Sequence, residues 1–255
     1  MTIALRNRLR QQPLPQVSFG PFRFLEALPW LVMAAAMRVI AHGGGAIALP
    51  AIIIASIAVL HAFLVVAQRS IELADGRTSL GELDFAEQSK LSLGVLWRIT
   101  LLMITAALAL SAAGYASLAP HMLAGLDGMA FDQFTGPGKF WSAAIAALVL
   151  LMMVGAERNG GRISLIAATG EFARRGLWIG AAVVVLGVAY LGLGLGQGWV
   201  RGAVWNFWQV SSSSQFTKNL IYFVFIFGFA MLRLWITLLI LTYGLKQSYL
   251  HSTRG

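Results

Sequence analysis

Long apolar runs separated by short polar connections dominate the chain. Six runs stand out, at about residues 22–41, 46–67, 95–118, 140–156, 177–196 and 220–244. Each is close to the roughly 20 residues an α-helix needs to cross about 30 Å of hydrocarbon. The pattern predicts an all-α integral membrane protein with six transmembrane helices. The first run is interrupted by Pro29 and the fourth is short, so these two have the least sharply marked ends. Residues 1–21 read as a basic N-terminal segment carrying Arg6, Arg8 and Arg10, with Pro13 and Pro15 breaking any continuous helix. Residues 22–245 form the membrane domain and residues 246–255 a C-terminal tail. A cleaved secretory signal is not expected, because the first apolar run starts late and five more follow it.

The polar connection over residues 72–93 has an echo. Gly76-Arg77-Thr78-Ser79-Leu80 returns as Gly161-Arg162-Ile163-Ser164-Leu165, and Glu72 is answered by Glu157 at the same offset. Each copy follows one apolar run and precedes another, which predicts pseudo-repeated helical hairpins. With residues 19–28 as the equivalent approach to the first run, there would be three: spans one and two, three and four, five and six. Ser79 followed by Glu82 fits a capping box at a helix start. In the second copy Ile163, Ile166, Ala167, Gly170, Ala173 and Leu177 share one helical face, while Arg162, Ser164, Ala168, Glu171 and Arg175 lie on others. Both connections are expected to carry a short interfacial helix, its apolar side in the headgroup region and its basic side toward anionic lipid. Such helices, over 72–93 and 157–176, are also candidate docking points for a cytoplasmic partner.

Composition narrows the class. The chain is 58% hydrophobic and 11% charged, with a mean hydropathy of +0.75, which excludes an ordinary soluble domain. It has no cysteine, which removes disulfides, thiol chemistry and thiolate metal sites. Its net charge of +9 raises nucleic acid as a partner, but the positions of the basic residues answer that. Arg6, Arg8, Arg10, Arg23, Arg69, Arg77, Lys90, Arg98, Arg158, Arg162, Arg174, Arg175, Lys246 and Arg254 flank the spans on one side. Arg38, Lys139, Arg201 and Lys218 fall on the other, and Arg233 lies inside a span. The positive-inside rule then puts both termini in the cytoplasm, in a bacterial inner (plasma) membrane. Cations scattered over four segments are what topology alone produces, so no nucleic-acid partner is expected.

Ionisable residues inside hydrocarbon persist when they are paired or solvated, which makes them the usual entry to function. Arg233, near the middle of the sixth run, is the leading candidate. His61 lies at comparable depth in the second, and Glu26, Arg98 and Glu157 lie nearer the inner ends of spans one, three and four. Together they could form a polar layer, with Glu26 as the first-choice partner of Arg233. The bland alternative is that Glu26, Arg98 and Glu157 mark interfaces, His61 is a neutral core residue and Arg233 snorkels past Thr237. Glycines 180, 187, 192, 194, 196 and 198 thin the fifth span, and small residues of this kind let helices approach closely. On the outer side, Trp199, Trp205 and Trp208 are expected in a long connection over residues 197–219, forming an interfacial aromatic belt. Residues 211–214, all serine, read as a flexible link.

Enzyme signatures are lacking. His42, His61, His121 and His251 are scattered without metal-ligand spacing, no serine lies in a nucleophile elbow, and no cofactor is implied. Two functions remain. One is a non-enzymatic scaffold or accessory subunit that packs in the bilayer against a membrane-protein partner or a second copy. The other is a permease subunit of a transporter, ATP-driven through a separate nucleotide-binding protein. A polar cavity through the bundle would favour the second, and an apolar core with outer grooves the first.

Overall fold

A computed structural model describes residues 17–73, 80, 83–123 and 136–252. Its principal helices are α1 (Leu28–His42), α2 (Ala48–Ser70), α3 (Phe85–Ala112), α4 (Ala119–Leu123), α5 (Gly136–Arg158), α6 (Leu165–Arg174), α7 (Gly176–Val210) and α8 (Gln215–Ser252). Six segments of this helical framework are long and apolar enough to cross a membrane, and the chain is a multi-pass membrane protein. Those spans are α1 with the 3-10 turn before it (Phe24–Ala27), α2, α3, α5, α7 and α8.

Pro29 does not interrupt the first span. It occupies the opening turn of α1, where the missing N–H has no intrahelical acceptor to lose. At the other end Gly43 caps α1, and Gly44 and Gly45 take φ of 75° and 76°, a left-handed conformation that reverses the chain toward α2. The fourth span reaches 23 residues, from Gly136 to Arg158. It ends in a glycine cap of the Schellman kind: Gly161, at φ 84°, donates its N–H to the Ala156 carbonyl at 2.8 Å.

Two expectations change. The long outer connection before the sixth span is helical: α7 runs unbroken through Gly192, Gly194, Gly196 and Gly198 to Val210, leaving only residues 211–214 as the link. In hydrocarbon the intrahelical hydrogen bond is the only partner for each backbone amide, so glycine costs a helix less than it does in water. In the first inner connection Leu80 lies in a 3-10 turn and α3 begins at Phe85 and continues into span three; residues 74–79, 81 and 82, where the rest of the expected short helix falls, lie outside the described residues. And the fold is not wholly α. Val17–Phe19 and Ile71–Leu73 form a two-stranded antiparallel ladder that ties the N-terminal segment to the end of α2, with Ser18 opposite Glu72.

Glu72 therefore sits in a strand whereas its echo Glu157 sits in a helix. Residues 76–79, with Ser79, and Glu82 of the expected capping box lie outside the described residues. Spans one and two pack along their length, and so do five and six, but spans three and four touch little. Span four is the hub, with 72% of its most apolar window buried, against 22% for span three. Small residues set the close approaches: the ring of Phe140 on span four lies where a Cβ on Gly187 would project, and Gly244 of span six sits nearly as close to Ala182 of span five. Within the C-terminal segment α8 continues to Ser252.

Candidate functional site

Arg233 is buried, 8% exposed, where spans four, five and six meet. Its Nη2 donates to the Oγ of Ser142 on α5. The guanidinium lies over the Tyr190 ring of α7, 4.7 Å from the centroid, a cation–π geometry. The Tyr190 hydroxyl and Thr237 Oγ1 are 2.7 Å apart, and Thr237 Oγ1 donates to the Arg233 carbonyl at 2.7 Å, so one turn of α8 closes the cluster. Hydroxyls and an aromatic face around a guanidinium fix its position and join three helices. A cavity of about 60 Å³ adjoins them, walled by Val59, Leu60 and Phe63 of span two.

The expected polar layer is not assembled. Glu26 pairs with Arg69 at 2.7 Å, joining the ends of spans one and two, and is not the partner of Arg233. His61 packs its ring against Trp30, 4.0 Å between centroids. Arg98 turns back on its own helix and donates to the Gly94 carbonyl at 2.9 Å. Glu157 is buried at the end of span four and accepts from the Leu80 N–H at 2.7 Å, binding the first inner connection to the hub. Glu157 lies 15 residues along α5 from Ser142, a helical rise of about 22 Å.

At the opposite end of the bundle His42 is surrounded by aromatic rings. Its centroid lies 5.5 Å from Trp205, 5.2 Å from Trp208 and 4.9 Å from Tyr222. With Arg201 these residues line a cavity of about 410 Å³. Trp205 and Trp208 are thus held by a helix face rather than a loop, while Trp199 stays 80% exposed. His121 lies on α4, which packs on span three, away from His42.

The most developed constellation was not foreseen. Where α5 ends and α7 begins, Glu171 of α6 meets Arg175 directly and Arg158 at 3.6 Å. Both guanidinium groups lie over the Tyr249 ring of α8, at 4.8 and 4.0 Å, and Arg175 Nη1 donates to Ser248 Oγ at 2.9 Å. On α6 the edge of Ala168, Glu171 and Arg175 turns toward the bundle, with Ala168 buried, while Ile166 is 84% exposed. The Ser164 hydroxyl caps this helix by accepting from the Ala167 N–H at 3.2 Å. Beside the cluster opens a cleft of about 1160 Å³ between the ends of α7 and α8 and the N-terminal strand.

Of the Arg233 partners, Thr237, one turn beyond it, is the one the sequence marks. Ser142, Tyr190, Arg69 and Tyr249 lie 43 to 91 positions from the groups they meet, beyond the reach of helical periodicity. Among the described residues no group of three or more His, Cys, Asp or Glu side chains is placed to hold a metal ion. Comparison of the chain with protein-family models, curated proteins and solved structures finds no match in any of the three.

Proposed function

We propose that the protein is a non-enzymatic scaffold or accessory subunit of a larger membrane complex, acting by packing rather than by chemistry. The supporting observation is the isolation of span three. It is as apolar as its neighbours yet little buried by them. Leu93, Trp97, Leu101, Ile104 and Leu108 are exposed on it at intervals of three and four, one continuous helical stripe. The reading assigns that stripe to another membrane protein or a second copy. Because the chain has no cysteine, Trp97→Cys and Leu101→Cys can be cross-linked in native membranes without background. Adducts to another polypeptide, or to this one, are expected. A chain that forms no adduct at the stripe and extracts as a monomer refutes the reading.

Orientation belongs to the same proposal: both termini and the inner connections of three helical hairpins face the cytoplasm of a bacterial inner membrane, on the strength of the charge asymmetry. Cysteines at Ser79 and Ser212 should label oppositely with an impermeant thiol reagent, and equal labelling from outside refutes it.

The alternative, a permease subunit served by a separate ATPase, draws support from α6. Glu171 links this short helix to Arg158 of span four and to Arg175 at the start of span five, so a push on it reaches two spans. ATP hydrolysis by a co-purifying protein that falls when Glu171→Ala is introduced would favour this over the scaffold.

A further inference from the structure

The cleft at the basic end is amphipathic along its length. Arg158, Arg175 and Lys246 stand at its mouth, all near helix ends on the same side of the bundle. Trp178, Val185, Leu239 and Ile240 line it further in. At 1.5 Å per residue the apolar wall runs about 15 Å from Arg175 to Val185 on α7 and about 10 Å from Lys246 to Leu239 on α8. Its volume of about 1160 Å³ exceeds the few hundred Å³ of a compact polar metabolite site.

Among the described residues the cations at the mouth outnumber the acids that meet them. Glu171 is the acid paired with Arg158 and Arg175, and it serves both, leaving a net excess of cations once Lys246 is included. The Arg158 side chain is only 7% exposed, and its buried Nε has no hydrogen-bond partner among the described residues. Burying a cation with donors unspent is costly unless an anion completes the site. Lys246 is exposed at the rim, where its flexible stem can reach a headgroup.

We propose that this cleft binds an anionic glycerophospholipid of the adjacent leaflet, the phosphate held by Arg158, Arg175 and Lys246 and one acyl chain lying between α7 and α8 past Val185. The Ser18 to Phe22 stretch, anchored by its strand pairing to the end of α2, forms the facing wall. A bound lipid would then add a bridge between the N-terminal strand, anchored to the end of span two, and spans four, five and six. The site is independent of the span-three stripe, so failure of either proposal leaves the other standing.

Native mass spectrometry of the whole chain, released from mild detergent with equal amounts of phosphatidylglycerol and phosphatidylcholine, tests this. Phosphatidylglycerol should be retained at least about fivefold more, the contribution of a single cation near an anionic lipid surface. Lys246→Gln, at an exposed position, should lower that retention by about fivefold without changing the melting temperature. Val185→Trp should lower it as well, by filling the acyl path with no change in charge. Equal retention of the two lipids overturns the proposal, as does retention indifferent to both substitutions. Stabilisation by inorganic phosphate equal to that by phosphatidylglycerol overturns the amphiphile, since the site would then read the anion alone.

Discussion

Spans three and four are nearly equal in hydropathy, 2.0 and 1.9, yet they occupy opposite situations. Span four is the hub, and span three is barely enclosed. Within a bilayer lipid tails are as apolar as leucine, so hydrophobicity brings a segment into the membrane without deciding which segment ends in the middle. Close approach and polar anchors decide that. Span four has both: Phe140 against Gly187, Ser142 under Arg233, and Glu157 on the Leu80 amide. Span three spends its one deep arginine on its own backbone at Gly94.

Substitutions at the two spans should therefore differ in graded fashion. Gly187→Leu forces a side chain into the Phe140 ring and should cost about 3 kcal/mol, at the upper end for overpacking, measured by unfolding in detergent. A cost under about 1 kcal/mol would mean that the hub adapts, and the contrast with span three would weaken. Next, Ser142→Ala deprives the buried guanidinium of an acceptor and should lose about 2 kcal/mol. Adding Arg233→Leu should restore most of it, since no cation then remains to be satisfied. If the double variant is no more stable than Ser142→Ala alone, Arg233 is not held by that bond. Glu157→Gln keeps an acceptor for Leu80 but removes its charge, with an expected loss of about 1 kcal/mol and faster hydrogen exchange at the Leu80 amide. Smallest of all, Trp97→Ala on span three should change the stability of the isolated chain by less than about 0.5 kcal/mol. The same substitution should reduce co-purification if the stripe holds a partner, and a stability loss matching Ser142→Ala would erase the distinction between the spans.

Much of the framework could be read from single segments. Six spans, the glycine exit after His42, the serine link at 211–214 and a short helix after Ser164 all follow from local composition and capping chemistry. Two boundaries moved for local reasons that pattern reading weighed wrongly: Pro29 begins a helix, and the glycines of span five are carried through one. The polar candidates fared differently. Their place along each span was legible, their partners were not. Membrane depth alone would match Glu26 with Arg233, but helix ends meet helix ends, and Arg69 at the foot of span two is the cation that α2 brings to Glu26. Tyr222 beside His42 and Tyr249 beneath two arginines sit near the ends of the same helix, α8, and no spacing rule ties either to its neighbour.

By itself the sequence determined that the chain enters a bilayer, how many times it can cross, and where helices cap and turn, because hydrophobic length and backbone hydrogen bonding act within a segment. Tertiary structure alone decided that span four is the centre, that Arg233 rests on Ser142 and Tyr190, that α6 turns its charged edge inward, and that Arg158, Arg175 and Lys246 share one cleft. Those outcomes depend on which helix surfaces come within a few ångströms of each other. That choice is made by small residues and single polar contacts between distant segments, and the hydropathy of each segment is blind to it.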